Sequence, residues 1–266
     1  MSNNASNSAS SPDLLAPDLL ALDFDGVICD GLVEYFQTAW RAYCRVWFPA
    51  DKTPPAGLAE CFYPLRPVIE TGWEMPVLLR SLLLGTAEDR IVADWPAVAR
   101  QQLAADGLEP QPLAAAVDGV RDEWIQADLE GWLAQHRFYP GMVEFLGRSL
   151  QSDTHTAIIT TKEGRFVKQL LAQSGVAMPE GQIFGKEVKR PKYETLRDLV
   201  AAQQAKTTWF IEDRLKALQQ TAQQPDLTQV RLLLADWGYN LAADRQRATD
   251  DDRIELVSLP EFTGRG

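Results

Sequence analysis

Histidine, cysteine, long apolar runs and positive charge are what this 266-residue chain has least of. The two histidines, His136 and His155, stand too far apart to suggest a metal pair and are expected to be structural or exposed. Three cysteines (Cys29, Cys44, Cys61) are odd in number and lack ligand spacing. They read as reduced, mostly buried residues of a cytoplasmic protein, which excludes a disulfide frame and argues against a catalytic thiol. No window approaches the roughly 18 consecutive apolar residues of a spanning helix, so no membrane partner is expected. Lys and Arg number 26 against 37 Asp and Glu, and a net charge of −11 argues against nucleic acid or anionic lipid as the main partner. The opening MSNNASNSASSPDLLAPD is small and polar, with neither a basic nor an apolar region of a signal peptide, and residues 1–17 are expected to be a disordered leader. There is no internal repeat.

What is present begins at residues 19–30, LLALDFDGVICD, where an apolar strand runs into Asp23 and Asp25 and then a glycine. Alternation along a strand sends both aspartates to one face and turns Phe24 towards the packing. Two carboxylates in one small space are costly unless a cation lies between them or one stays protonated, so the pair is a candidate metal site and a candidate nucleophile and acid.

After this strand, a helix is expected from near Asp30, and helical patterns without a convincing strand continue to about residue 137 (RPVIETGWEMPVLLRSLLLG, AEDRIVADWPAVARQQLAA, PLAAAVDGVRDEWIQADLEGWLAQH). From residue 138 the texture changes to short strands alternating with helices: THTAIIT, QIFG, TTWFIED and QVRLLLAD, with IELVSL as a further strand or a surface segment. That alternation predicts an α/β, Rossmann-like parallel sheet core made of 18–30 and 138–266. The helical stretch 31–137 is then an inserted all-helical cap above the carboxyl end of the first strand, where open α/β sheets bind ligands.

DFDG after an apolar strand, IITTK, a lysine in KEVKRPKYETL, and FIED resemble, in order, the four motifs of the haloacid dehalogenase superfamily, and PGMVEFL and ADWGYN add to the likeness. The insertion between the first two motifs resembles the helical C1 cap of phosphoglycolate-phosphatase-like members. The resemblance implies a Mg²⁺-dependent phosphatase acting on a small phosphorylated metabolite. Asp23 would be the nucleophile that forms an aspartyl-phosphate, and Asp25 the acid and base. An aspartate at that second position is what distinguishes phosphatases of this superfamily from its dehalogenases.

The resemblance further implies that Thr160 donates to a phosphoryl oxygen, with Thr161 and Lys162 in the loop that follows as substrate-binding residues that help hold the phosphate. The third-motif lysine is Lys192 or, on a Lys-x-Pro reading, Lys189. The implied Mg²⁺ ligands are Asp23, the Asp25 backbone carbonyl, Asp213 and Glu212. A second acid common in this family would fall at Ala217, and Glu212 is the substitute. On the cap, Trp40, Arg41, Arg66, Trp73 and Arg80 are candidate substrate contacts. A phosphonate hydrolase is excluded by the lack of any lysine between Lys52 and Lys162. A sugar-phosphate mutase and a catalytically inactive binding or regulatory protein of the same fold are the alternatives.

Overall fold

The computed structural model describes residues 16–264; most of the expected leader therefore lies outside the described residues. A six-stranded sheet forms the centre, in the order β5-β4-β1-β6-β7-β8, and every pairing is parallel. Its strands are β1 (Leu19–Leu22), β4 (His155–Ile159), β5 (Ile183–Phe184), β6 (Thr208–Glu212), β7 (Val230–Ala235) and β8 (Ile254–Val257). IELVSL thus supplies the edge strand.

Strand β1 is central, with Leu19 opposite both His155 and Thr208, and all four of its residues are buried. Leu20 and Leu22 pack with Phe24 and Ile211 on one face, while Leu19 and Ala21 pack with Phe210 and Leu232 on the other. Burial on both faces is why the strand reads as an unbroken apolar run. The crossover helices are α8 (Met142–Leu150), α9 (Gly164–Gln173), α10 (Lys192–Gln203), α11 (Leu215–Ala222) and α12 (Ala242–Thr249), with α13 (Leu259–Gly264) closing the described chain.

Between β1 and β4 lie α1 (Leu32–Trp47), α2 (Leu58–Leu65), α3 (Glu74–Leu83), α4 (Glu88–Ala93), α5 (Trp95–Asp106), α6 (Pro110–Ala127) and α7 (Leu129–Leu133). Helices α1 to α6 build a second hydrophobic cluster of their own, around Phe62, Val77, Leu78 and Leu113, joined from the sheet side by Tyr239. Two long helical patterns are broken where the sequence reads as continuous. Asp94 and Asp128 leave helical geometry, and their side chains accept from the Ala97 and Gly131 amides to start α5 and α7. Each is an aspartate capping a new helix.

The chain enters and leaves the helical layer through a two-stranded antiparallel sheet, β2 (Cys29–Asp30) with β3 (Arg137–Phe138). Periodicity gave no sign of it, because two residues carry no alternation. The first helix accordingly begins at Leu32, after that strand.

Candidate active site

Four separated segments meet at the carboxyl ends of β1, β4 and β6 and the start of α10. Asp23 follows β1, Thr160 follows β4, Glu212 ends β6 with Asp213 next, and Lys192 opens α10. Lys192 Nζ lies 2.7 Å from Asp23 Oδ2 and 2.6 Å from Glu212 Oε2. Asp23, Glu212 and Asp213 are all buried, and each offers a carboxylate oxygen within 4.8 Å of the others.

Two of these buried carboxylates share one ammonium, and Asp213 stands beside them. Burial, then the charge of Asp23, pushes Glu212 well above the usual carboxylate range and Asp213 up to about 6. Burial opposes the charged form of Lys192, yet Asp23 and Glu212 together raise it above the ordinary lysine value. The excess of negative charge and the all-oxygen donor set fit a hard divalent cation, to which Asp23, Glu212 and Asp213 could each offer one oxygen. Glu212 also anchors Lys192, and its other oxygen accepts from the Arg214 amide at 3.2 Å.

The carboxylate of Asp25 stands outside this trio of acids. Lys162 Nζ approaches its two oxygens at 3.3 and 3.4 Å and lies 5.5 Å from the Trp132 ring. Thr160 is buried and its Oγ1 accepts from the Lys162 amide at 3.2 Å, which leaves its hydroxyl hydrogen free to donate. Thr161, Lys162 and Asp25 line a cavity of about 530 Å³ under the helical layer. Of the two candidate lysines, Lys192 reaches the acids, whereas Lys189 is exposed, with φ 53, on the wall of a neighbouring 380 Å³ cavity that includes Thr160 and Lys192.

Backbone approach around Asp213 is close. Gly26 has φ +87, and a Cβ there would stand 2.0 Å from Asp213 Oδ2. Only glycine fits.

One residue, Tyr239 of ADWGYN, escaped the sequence reading. Its amide donates to Asp213 Oδ2 at 2.7 Å, its hydroxyl accepts from the Gly31 amide at 2.7 Å and donates to Asp30 Oδ1 at 2.9 Å, and its ring meets Tyr35 edge-on. Asn240 adds a hydrogen bond from Nδ2 to the Asp213 carbonyl at 3.1 Å. The aromatic after a glycine in a loop following a buried strand was the available signal.

A further unforeseen group is the buried Glu34, which accepts from Thr38, Trp132 and the Nε and Nη2 groups of Arg121. Arg121 holds its carboxyl down at about 2 against the opposing effect of burial.

Of the helical-layer candidates, Arg66 lines the 530 Å³ cavity. The other four do not line it. Arg80 pairs with Asp106, Arg41 covers Trp124, Trp40 stacks on Tyr43, and Trp73 is half-buried against the helical cluster. His136 is buried, with Nδ1 near the Trp132 and Leu133 carbonyls, and burial followed by the charge of Lys162 lowers it to about 4. His155 lies half-buried at the start of β4.

No protein-family model matches this sequence, and no curated protein matches it. Solved structures do. A predicted phosphatase from Clostridium acetobutylicum superposes with a TM-score of 0.57 at 13% identity, covering 94% of this chain and 97% of that one. A haloacid dehalogenase-like family hydrolase from Streptococcus pneumoniae gives 0.51 at 15% identity, covering 92% and 95%. A predicted phosphoglycolate phosphatase from Haemophilus somnus gives 0.52 at 14% identity, covering 90% and 93%. The fold is therefore the haloacid dehalogenase fold over nearly the whole chain.

Proposed function

We propose, taking that fold as the premise, that the protein is a phosphatase which hydrolyses a small phosphorylated metabolite through an aspartyl-phosphate on Asp23. Residues 18–30 and 138–266 are then the catalytic core and 31–137 the cap. The observation that carries this reading is the clustering of Asp23, Glu212 and Asp213, the first two paired to Lys192, with Asp25 held apart on the cavity side.

An oxygen of the Asp23 carboxylate attacks phosphorus as the bond from phosphorus to the leaving oxygen breaks, and Asp25 gives its proton to the departing alkoxide. In the second half Asp25 takes a proton from a water that attacks phosphorus. The bond from phosphorus to the Asp23 oxygen breaks, releasing inorganic phosphate and regenerating both acids. Thr160 donates its free hydroxyl hydrogen to a phosphoryl oxygen. Lys192 keeps Asp23 aligned and balances the charge that accumulates there. Asp23, Asp213 and Glu212 would hold Mg²⁺, which would supply electrostatic stabilisation of the crowded oxygens. The helical layer covers the cavity and supplies side chains that meet the leaving group.

Hydrolysis of p-nitrophenyl phosphate and a panel of phosphometabolites, with and without Mg²⁺, tests the proposal. Wild type should turn over and Asp23→Asn should not. Equal, negligible turnover by both across the panel, with ligand binding retained, would leave the binding or regulatory reading in its place.

A further inference from the structure

The cavity above Asp25 is walled by charged residues, and most of them already have partners. Arg121 is held by Glu34, Lys162 by Asp25, Glu70 by Lys216 and Glu163 by Arg165, while Lys186, the remaining cation on the wall, is solvent-exposed and not held in place by any ion pair among the described residues. Arg66 differs. Its guanidinium lies 4.6 Å from the Tyr35 ring and 4.9 Å from the Tyr239 ring, and Nη1 donates to the Ile69 carbonyl at 3.1 Å. Among the described residues it has no carboxylate within ion-pair distance, and its Nε is buried with no hydrogen-bond partner. Two tyrosine faces thus hold a guanidinium in place on the cavity wall, with donors still to be satisfied. With Nε shielded and Nη1 serving a carbonyl, Nη2 is the donor left to meet an acceptor from the cavity side. In a chain of net charge −11, an anion entering this space gains only from local cations of this kind. Asp118 and Asp122 also line the cavity but are solvent-exposed, where water and salt screen them.

We infer that Arg66 is a specificity-determining residue that binds a second anionic group, carboxylate or phosphate, on the alcohol portion of the substrate. The inference rests on the phosphatase reading and narrows it to phosphomonoesters whose leaving alcohol is itself an anion. The planar fork of Arg66 suits either group, and the aromatic stacking fixes its orientation before the ligand arrives.

A matched three-carbon series tests this: glycerol 3-phosphate without a second anion, 3-phosphoglycerate with a carboxylate, and glycerol 1,3-bisphosphate with a phosphate. Wild type should show a higher kcat/KM for one or both anionic esters than for glycerol 3-phosphate. Arg66→Met should cut that ratio on the order of 10- to 100-fold, the size of one lost charged hydrogen-bond pair. Arg66→Lys should keep part of the preference, and Arg80→Met, in the same helical layer but paired to Asp106, should leave the ratio unchanged. A wild type without preference, or an Arg66→Met protein that loses all three esters equally, overturns the inference. Calorimetric binding of the same three compounds separates it from the phosphatase reading. An anion preference in binding that Arg66→Met abolishes upholds the inference even if nothing is hydrolysed, and equal binding of all three overturns it.

Discussion

Replacing Arg121 by methionine strands Glu34, a carboxylate with 0% exposure, in the interior of the helical layer. In the intact protein one edge of the Arg121 guanidinium holds both its oxygens, with Nε 2.7 Å from Oε1 and Nη2 3.1 Å from Oε2. The carboxyl is displaced from its ordinary 4.5 to about 2. At about 1.4 kcal/mol for each tenfold change in proton affinity, that displacement is worth about 3 kcal/mol. Measured losses on breaking buried pairs, about 3–5 kcal/mol, agree.

For a domain of this size each kcal/mol moves the melting temperature by about 2–4 °C, so Arg121→Met should melt roughly 6–20 °C lower at pH 7. The pH dependence has a definite sign. A depressed folded value means the Glu34 contribution is fully present above about 4.5 and is lost as pH falls towards 2. Wild type should therefore show that part of its acid loss in this window, and Arg121→Met should not. The double variant Glu34→Leu, Arg121→Met should recover much of the loss, since an apolar pair leaves no buried charge. Scanning calorimetry at pH 7, 5 and 3 measures all of this. A single variant that melts within 2 °C of wild type would refute the reasoning.

Further tests address the site and its surroundings. Lys192→Met should lower kcat by at least about 10²-fold, with the circular dichroism spectrum retained, because the charge balance at Asp23 is lost. Metal-free protein should lose stability as pH rises from about 4 through about 6, since Asp213 is raised and binds its proton more readily folded than unfolded; added Mg²⁺ should reverse this loss in thermal melts. His136 is lowered to about 4 from 6.5, so its contribution is present above about 6.5 and lost as pH falls towards 4; His136→Asn should flatten the melting profile in that window. Tyr239→Phe keeps the amide bond to Asp213 but removes the hydroxyl bonds to Gly31 and Asp30. It should cost about 1–2 kcal/mol in urea unfolding.

The strand pattern of the core was readable because each parallel strand is buried on both faces, so LLAL, AII, WFI and RLLLA stand out as short apolar runs between helical segments. Asp23, Asp25, Thr160 and Asp213 were readable for a related reason: polar residues at the ends of buried strands lie at the edge where such a sheet meets solvent or ligand. Short-range devices were not readable. The β2–β3 pair depends on Cys29 meeting Phe138, and the helix breaks at Asp94 and Asp128 depend on side-chain caps that compete with an otherwise good helical pattern.

By itself the sequence determined that strands alternate with helices around an acidic strand end, since burial on both faces and strand-end polarity are written residue by residue. Tertiary structure decided which groups meet. Lys192 rather than Lys189 reaches Asp23 because α10 starts at Lys192 and points its first turn at β1, while Lys189 is spent on a left-handed turn facing solvent. Likewise Tyr239 and Arg66, remote from each other in the chain, come into contact only when the helical layer folds over the sheet. Distances of that kind depend on packing between elements, which no local pattern records.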